Sequence, residues 1–324
     1  MLYEKAGVNI NIAQNTLNNV KNTISQTYTK NVLSNTGNFG GLYSIDKNNI
    51  LVSSTDGVGT KVELGKLVGS YYTFGIDIVN HCINDILVQG AKPLFFLDYL
   101  GFNKINPKSI EEIIKGISDA CKKADCALIG GELAEMQDVY RQDSIDIVGT
   151  IIGSVSKDNL ITGKDIKDGD VVLGLKSSGL HTNGFSLARK VLEKAIIKDD
   201  KLLNSLVTPH KTYLDEINEL RKSVSIKGLV HITGGGFYDN PQRILDKELC
   251  CVIDTNSWET PEVFNRIRKE GNISQEEMYK VFNMGIGMLI VIDKNDISKA
   301  SHALDDKSIV IGKIIKDRQD IILE

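Results

Sequence analysis

The chain has 324 residues and a formal net charge of −4, with acidic and basic side chains interspersed along its length. This length exceeds what one hydrophobic core ordinarily serves, so two domains are expected. The even charge distribution argues against nucleic acid and anionic membranes as partners. The sequence contains neither a signal peptide nor an uncharged apolar run near the ~18 residues that span a bilayer. The five cysteines lie in apolar segments without a Cys-x-x-Cys pair, which is typical of reduced core residues in a cytosolic protein.

A glycine-rich segment and a strand pair are predicted near the start of the chain. Residues 1–36 are polar with a weak helical pattern, and residues 37–41, which include Gly40 and Gly41, are predicted to form a mobile tip. Apolar runs at 42–45 and 50–54 are predicted to be strands joined by a turn.

The stretch TDGVGTK (55–61) follows the second of these strands. It combines an acid at a strand end (Asp56), two glycines that let a ligand approach the backbone (Gly57 and Gly59), and a lysine (Lys61). This combination favours a phosphate-binding loop, although its spacing is not that of a Walker A loop. An ordinary glycine turn is the alternative.

A helix is predicted to begin near Thr73, with apolar residues three and four positions apart along one buried stripe. Gly90 and Pro93 are expected to end it. The opposite flank carries only carboxylates, amides and one imidazole, which are oxygen-rich groups of the kind that bind Mg²⁺. A solvent-exposed acidic face is the alternative interpretation. The flank consists of Asp77, Asn80, His81, Asn84 and Asp85.

The rest of the first half alternates predicted strands and helices. A buried strand is expected at 94–97, ending at Asp98, and another at 126–129, ending before Glu132. Between them a helix is predicted to open at Pro107 and Ser109, with Glu112 completing a capping box. A further strand is predicted at 146–155, and the alternation favours a mixed α/β structure.

The polar, turn-rich stretch 156–170 is predicted to contain the domain boundary, which gives domains at 1–160 and 161–324. In the second half, strands that begin at Val171 and Leu229 lead into small-residue loops at 177–184 and 231–236, which suit anions near helix starts. Asn183 is predicted to cap the helix after the first loop. Because His181 and His231 lie in these loops, both are predicted to be functional, whereas His210 and His302 are assigned no role.

Other segments of the second half are predicted to be scaffold. Strands are expected at 249–253, 288–292 and 309–315, and helices after Pro261 and after Ser274. A tight glycine turn at 283–288 has no purpose that can be derived from its residues.

Taken together, these motifs resemble the phosphoribosylformylglycinamidine cyclo-ligase (aminoimidazole ribonucleotide synthetase) family of purine synthesis. The resemblance covers nearly the whole chain and follows the order of that family. Within it, Asp85 to Pro93 matches D-x4-G-A-x-P, a signature of the wider ATP-binding superfamily. The six stretches are STDGVGTK (54–61), GIDIVNHCINDILVQGAKPLFFLDY (75–99), GGELAEM (130–136), SSGLHTNGFSLARK (177–190), HITGGGFYDN (231–240) and VFNMGIGM (281–288).

The resemblance implies two mixed sheet-and-helix domains, with the N-terminal sheet closing a barrel across a homodimer. It also implies an ATP- and Mg²⁺-dependent, cytoplasmic ligase that converts formylglycinamidine ribonucleotide to 5-aminoimidazole ribonucleotide, with release of ADP and phosphate. The resemblance assigns ATP contacts to Gly40, Gly41, Asp56, Gly57, Gly59, Thr60, Lys61, Asp77, Asn80, Asp85 and Glu132. Among these it assigns the metal to Asp56 and Asp85, supported by Asp77 and Glu132.

The same resemblance places the substrate against the two loops of the second half. The contacts would come from Ser178, Gly179, His181, Asn183, Thr233, Gly234 and Gly235. The neighbouring amidine nitrogen of the substrate must lose a proton during ring closure, which His181 or His231 could accept, while Lys61 would help neutralise the transferred phosphoryl group.

Two departures from the family pattern bear on the shape of the loops. Leu133 and Gln137-Asp138 stand where the family usually has a threonine and a Pro-Gly pair. The stretch Asn240-Pro-Gln-Arg243 stands where the family usually has Asn-Ile-Pro-Arg. A selenophosphate synthetase would need a reactive cysteine in the N-terminal glycine loop, but no cysteine precedes Cys82. A hydrogenase-maturation protein would end in a cysteine-bearing tail, which is not seen here. A non-catalytic, nucleotide-binding assembly subunit is the remaining alternative.

Overall fold

The computed structural model describes residues 10–33 and 39–324. Residues 37 and 38 of the predicted glycine-rich tip at 37–41 lie outside these residues, whereas Phe39, Gly40 and Gly41 are described. The first half contains, in chain order, α1 (Ile10–Ser25), β1 (Gly41–Ser44), β2 (Asn49–Gly57), α2 (Gly65–Val68), α3 (Tyr72–Leu87), β3 (Lys92–Phe102), α4 (Pro107–Lys123), β4 (Ala127–Glu135) and β5 (Ile145–Ser156). Its five strands form one sheet in the order β1-β2-β5-β3-β4. All neighbours in this sheet pair antiparallel except β3 and β4.

The second half forms a separate six-stranded sheet. Together the two sheets and their helices confirm the mixed α/β class. No helix within the described residues is long and apolar enough to cross a membrane. The elements of the second half are β6 (Val171–Lys176), α5 (Phe185–Ile196), α6 (Asp200–Leu206), α7 (Leu214–Leu220), β7 (Gly228–His231), α8 (Gly236–Asp239), β8 (Leu249–Ile253), α9 (Glu262–Gly271), α10 (Gln275–Val281), β9 (Ile286–Ile292), α11 (Ile297–Ala303), β10 (Ser308–Lys316) and β11 (Asp320–Leu323). The strands of its sheet lie in the order β11-β8-β10-β6-β9-β7.

Helix α3 is the helix predicted at the centre of the first half, and it packs on the sheet and on α4. A Cβ at Gly75 of α3 would lie 2.2 Å from the Ile113 carbonyl oxygen, and one at Gly116 of α4 would lie 2.1 Å from the Tyr72 carbonyl oxygen. Only glycine therefore allows the two helices to approach so closely. The predicted apolar stripe is buried in full: Phe74, Ile78, Val79, Cys82, Ile83, Ile86 and Leu87.

The polar flank of α3 is buried, so the solvent-exposed interpretation is wrong. Asp77 and Asn84 have no exposed surface, and His81 and Asp85 are only 5% and 6% exposed. The flank faces a segment of the second half, residues 208–213, to which it is hydrogen-bonded. The candidate site residues of α3 therefore lie where the two halves of the chain meet.

Three strands of the first sheet are longer than the sequence indicated. Strand β2 continues past Ser54 to Gly57, so the first three residues of the predicted loop 55–61 lie in the strand. Strand β3 continues past Asp98 to Phe102, and β4 continues past Glu132 to Glu135. The two glycines before Glu132 lie within β4. Gly131 leaves room for the side chain of Asp98, because a Cβ at Gly131 would lie 2.4 Å from Asp98 Oδ1. The run 94–97 is also not fully buried, since Leu94 is 42% exposed.

Two helix starts differ from the predictions. Helix α4 is capped by Asn106, which accepts a hydrogen bond from the Ser109 N–H at 3.2 Å, because Pro107 suits the first helical position. Glu112 forms no capping box and accepts from the Tyr71 N–H at 2.7 Å. Helix α5 begins after Gly184, which has a φ of +78° and no side-chain cap, so Asn183 does not cap it.

One face of the first sheet is only partly covered. Along β5, buried residues that face α3 alternate with half-buried residues that face away, among them Val148 and Ile152. Their cross-strand neighbours on β3, Tyr99 and Phe95, are half-buried in the same way. This face is therefore apolar and partly open.

Candidate active site

The buried flank of α3 holds residues 208–213 in place through backbone groups. Asp77 Oδ1 accepts from the His210 N–H at 2.6 Å and from Lys61 Nζ at 2.8 Å, and the same ammonium donates to the Thr208 carbonyl at 2.8 Å. Asn80 Nδ2 donates to the His210 carbonyl at 2.7 Å. These contacts place the His210 ring inside the junction.

Asp77 and Lys61 form an ion pair without any exposed side-chain surface. Burial raises the pKa of Asp77, against the opposing effect of Lys61, and burial lowers the pKa of Lys61, against the opposing effect of Asp77. Both side chains are thus engaged within the protein, and the structure does not bring Lys61 to an open surface.

Asp56 of β2 and Asp85 of α3 are brought together by a shared serine. Ser54 Oγ lies 2.9 Å from Asp56 Oδ2 and 3.4 Å from Asp85 Oδ2. Burial raises the pKa of Asp85 well above its usual range, and the nearby charge of Asp56 raises it further. Burial also acts to raise the pKa of Asp56, but His81, Asp85 and Ser54 together hold it below its usual value. Two acids this close favour a cation between or beside them.

Four histidines from both halves of the chain surround this pair. His231 Nδ1 lies 2.7 Å from Asp85 Oδ1, and His81 Nε2 lies 3.5 Å from Asp56 Oδ1. His210 Nε2 lies 3.1 Å from His231 Nε2, and the His181 ring stacks on the His210 ring with centroids 3.9 Å apart. Thr182 Oγ1 connects His81 Nδ1 at 2.7 Å with His210 Nδ1 at 3.3 Å.

Burial keeps three of the four rings, those of His181, His210 and His231, uncharged. It lowers the pKa of His231 to about 3, and it lowers the pKa values of His181 and His210 well below the usual range. Neighbouring imidazoles lower the pKa values of His181 and His210 further. Neutral imidazole carries one N–H and one lone pair, so each ring can both donate and accept a proton.

The loop 177–184 is shaped by the glycine turn at 283–288. Asn283 accepts from Ser177 Oγ at 3.0 Å and donates to the Gly179 carbonyl at 2.9 Å, which gives that turn a purpose. Ser178 N–H donates to His181 Nε2 at 3.3 Å, and His181 has a φ of +61°. The buried Asn183 Nδ2 has no partner among the described residues.

The loop 233–236 and the stretch after it reach towards the N-terminal half. Asn240 Oδ1 accepts from the Thr233 N–H at 2.8 Å, while Gly234 and Gly235 are half-buried. The Arg243 guanidinium lies 4.8 Å from the centre of the Phe39 ring, next to the described end of the glycine-rich segment. Leu133 and Gln137, the other departures from the family pattern, lie on β4 and in the loop after it.

Several predicted site residues lie away from the acid pair. Glu132 is exposed, and its cross-strand partner is Tyr99, so its side chain points to the face opposite to that of Asp56. The Asp77 carboxylate is already paired with the Lys61 ammonium. Thr60 is exposed, and its hydroxyl lies 3.0 Å from the hydroxyl of Ser186. Asn80 borders a cavity of about 700 Å³ between α3, α4 and residues 209–219. Gly57 ends β2, Gly59 has a φ of +64°, and the Gly40 carbonyl accepts from Gln89.

Sequence reasoning missed His210, Thr182 and Ser54. His210 was assigned no role because its own segment is polar, and only the tertiary contacts with α3 bury it. One signal was available: a helix flank with two acids and an imidazole but no lysine or arginine is unusual for a solvent-exposed surface.

Two family models match the chain. They are the N-terminal domain of AIR synthase related protein, at residues 37–155, and the C-terminal domain of AIR synthase related protein, at residues 167–323. The curated relatives include the phosphoribosylformylglycinamidine cyclo-ligase of Thermoanaerobacter sp. (strain X514), 45% identical over 100% of both chains. The enzyme of the same name from Staphylococcus epidermidis strain RP62A is 44% identical over 97% of this chain and 96% of its own.

More distant solved structures share the fold. AaThiL complexed with AMPPCP and TMP aligns with a TM-score of 0.67 at 14% identity, covering 95% of this chain and 92% of its own. The HypE–HypF complex aligns with a TM-score of 0.66 at 17% identity, covering 94% and 95%. At these identities the likeness establishes the fold alone.

Proposed function

Because the chain belongs to the AIR synthase related family, we propose that it is an ATP-dependent carbon–nitrogen cyclo-ligase of purine biosynthesis. Its substrate is formylglycinamidine ribonucleotide, and its products are 5-aminoimidazole ribonucleotide, ADP and phosphate. The observation that carries the proposal is full-length identity of 45% to a relative of that name. The geometry agrees, because an acid pair of the first half and histidines from both halves meet at one buried centre.

The reaction needs an activated amide oxygen. The formamide oxygen attacks the γ-phosphorus of ATP, ADP leaves, and the oxygen becomes part of a phosphate leaving group. The neighbouring amidine nitrogen then attacks the same carbon, the carbon–oxygen bond breaks with release of phosphate, and the nitrogen loses a proton. Phosphoryl transfer depends mainly on alignment and on neutralising charge.

The acid pair fits a Mg²⁺ ion. Asp56 and Asp85 approach the same serine hydroxyl, and their mutual repulsion favours a bound cation. Mg²⁺ held there would neutralise charge on the phosphates of ATP. AaThiL complexed with AMPPCP and TMP has the same fold, which supports an ATP site in this architecture. We propose Asp77 and Glu132 only as indirect contributors, because neither side chain faces the pair.

His231 is our candidate for accepting the proton released during ring closure. It is uncharged, it contacts Asp85 directly, and it lies at the start of the 231–236 loop proposed for the substrate. His181 is the second candidate, since its buried Nδ1 has no partner among the described residues. For Lys61 we propose an indirect role through Asp77, because its ammonium is already shared between that carboxylate and the Thr208 carbonyl.

We propose contacts to the nucleotide substrate from the two loops of the C-terminal half. A cavity of about 330 Å³ is lined by Ser178 and Gly179 together with Lys201 and Arg266. Lys201 and the small side chains of the loop suit a phosphorylated ligand, whereas Arg266 is already paired with Asp199, which also lines the cavity. Thr233, Gly234 and Gly235 lie on the other loop, and Asn183 offers a buried amide between them, 3.3 Å from where a Gly234 Cβ would be.

We further propose a homodimer, a boundary near residue 160 and a cytoplasmic location. The partly open apolar face of the first sheet supports pairing with a second copy. The two sheets use residues 41–156 and 171–323, which supports domains at 1–160 and 161–324. All five cysteines are unpaired and buried, in keeping with a reducing compartment.

The test is to incubate the purified chain with ATP, Mg²⁺ and formylglycinamidine ribonucleotide and to follow 5-aminoimidazole ribonucleotide and ADP. We expect the two products in equal amounts. Saturable ATP binding without either product would instead support a non-catalytic, nucleotide-binding assembly subunit.

A further inference from the structure

We infer that a cavity between the two halves of the chain binds a small phosphorylated ligand, held by Arg221 and Lys92. This Arg221 cavity has a volume of about 650 Å³ and lies beyond the C-terminal end of α3. None of the residues assigned to the candidate active site lines it. The inference concerns a second binding site and is independent of the proposed reaction.

The lining of the Arg221 cavity carries cations and neutral polar groups. The first half supplies the start of β2, the start of β3 and the end of β5, and the second half supplies the last turn of α7 and the two residues after it. The charged members are Lys92, Arg221 and Lys222, and no carboxylate of the described residues belongs to the lining. In a chain with a formal net charge of −4, such a lining favours an anion.

Arg221 is held in place by two backbone carbonyl groups of the first half. Its Nη1 donates to the Gly90 carbonyl at 3.0 Å, and its Nη2 donates to the Asn159 carbonyl at 3.2 Å. A Cβ at Gly90 would lie 2.5 Å from Arg221 Nη2, so glycine leaves room for the guanidinium here. A guanidinium carries more N–H groups than these two bonds use, and the remaining groups can bind a ligand.

The positive charge of Arg221 is not neutralised by a carboxylate. Arg221 is half-buried, and it forms no ion pair within residues 10–33 and 39–324. Burial lowers the pKa of Arg221, because it removes the charged group from water. A phosphate would offset this cost through charge-assisted hydrogen bonds. Lys92 is exposed and also forms no ion pair in the described part of the chain, whereas Lys222 is paired with Glu219.

A phosphate group matches these cations and their neighbours. Arginine binds phosphate through paired N–H bonds, and lysine binds it as a point charge. Ser154, Ser156 and Asn218 line the cavity and can donate to further phosphate oxygens. The two serines continue the half-buried row of β5 beyond Ile152, so the cavity begins where the apolar face of the first sheet ends. Small-molecule sites have volumes of about 300–1,000 Å³, so this cavity has room for a sugar phosphate or a mononucleotide.

Calorimetric titration of the full chain with inorganic pyrophosphate tests the inference. Mg²⁺ is left out, so that no cation attracts the anion to the acid pair. Lys92→Gln should raise the Kd for pyrophosphate roughly tenfold, because it removes one charge-assisted hydrogen bond. Lys313→Gln is the matched control and should leave the Kd unchanged, since Lys313 is exposed on β10 and outside the cavity. Equal Kd values for Lys92→Gln and the wild type, or no binding by the wild type, would overturn the inference.

Two further titrations test the place and the chemistry of binding. Lys201→Gln alters the cavity of about 330 Å³ and should not change the Kd for pyrophosphate. A Kd raised by Lys201→Gln but not by Lys92→Gln would place the anion in that other cavity and refute the inference. Citrate, which offers carboxylates instead of phosphate, should bind more weakly than pyrophosphate. Citrate binding as tight as that of pyrophosphate would contradict a phosphorylated ligand.

Urea unfolding separates an effect on binding from an effect on folding. Without ligand, Lys92→Gln should keep the unfolding midpoint of the wild type, because Lys92 is exposed and makes no ion pair among the described residues. Saturating pyrophosphate should raise the midpoint of the wild type more than that of Lys92→Gln, since a ligand stabilises the folded state that binds it. An equal rise in both proteins would mean that pyrophosphate binds elsewhere and would contradict the inference.

Discussion

Asp56 and Asp85 are the residues on which the proposed chemistry depends most. They come from a strand and a helix of the same half, and Ser54 holds their carboxylates close together. His81 and His231 contact their other oxygens, so each acid has a partner and the pair still has unsatisfied negative charge for a cation. Repulsion within the protein is the feature that Mg²⁺ would relieve.

Asp85→Asn should lower turnover by at least about a hundredfold and weaken the dependence of the rate on Mg²⁺, because it removes half of the charge that holds the ion. The measurement is the ring-closure rate across a Mg²⁺ titration. Asp98→Asn is the matched control: Asp98 lies in the same cross-strand row as Asp56, but two strands away. Equal losses in the two variants would contradict a specific role for the pair.

The buried histidines should make the fold sensitive to acid. Burial lowers the pKa values of His181 and His210 in the folded chain, whereas the unfolded chain titrates near the usual value of about 6.5. Below that pH the unfolded state binds more protons, so the free energy of unfolding should fall as pH decreases from about 6.5. Urea midpoints between pH 8 and pH 5 measure this, and His181→Asn should reduce the slope. An unchanged slope would show that His181 is not buried as an uncharged ring.

Only some residues of the candidate site could be predicted from the sequence. Asp56, Asp85 and His231 could be predicted because acids at a strand end, acids on a helix flank and a histidine in a glycine loop are local patterns. His210 could not, since its position depends on hydrogen bonds between its backbone and Asp77 and Asn80, more than a hundred residues earlier in the chain.

Helix α3 and the segment 208–213 are linked by the buried Lys61–Asp77 pair, which makes them one structural unit. Lys61→Ala should destabilise the fold by about 3–5 kcal/mol, because it leaves the Asp77 charge buried and unpaired. Lys61→Met combined with Asp77→Asn should recover much of that loss, since no buried charge remains. Urea unfolding measures both variants. A double variant no more stable than Lys61→Ala would show that the pair contributes more than charge compensation.

The helices and strands of the chain were predicted well where their periodicity was strong. The stripe of α3, the alternation of β5 and the cap at Ser274 depend on neighbours in sequence, so they could be derived. The ends of β3 and β4 could not be derived, because Gly131 lies within a strand and leaves room for the Asp98 side chain. Such a use of glycine depends on a cross-strand contact that the sequence does not reveal.

The partly open face of the first sheet predicts that the whole protein is a dimer. Ile152→Glu, which places a charge on this face, should yield monomers, because the second copy would have to bury that charge. Sedimentation or light scattering measures the mass. Ile197→Glu is the matched control, since Ile197 is 70% exposed at the end of α5 and lies outside the sheet. A monomeric wild type, or dimers of both variants, would contradict this interface.

The most direct test of the proposed reaction follows the formamide oxygen. Formylglycinamidine ribonucleotide labelled with ¹⁸O at that position is turned over with unlabelled ATP, and the phosphate is examined by ³¹P NMR. Phosphorylation of the amide oxygen requires one ¹⁸O in each phosphate released and none in ADP. Phosphate without the label, formed together with the imidazole product, would contradict activation of the amide by phosphoryl transfer.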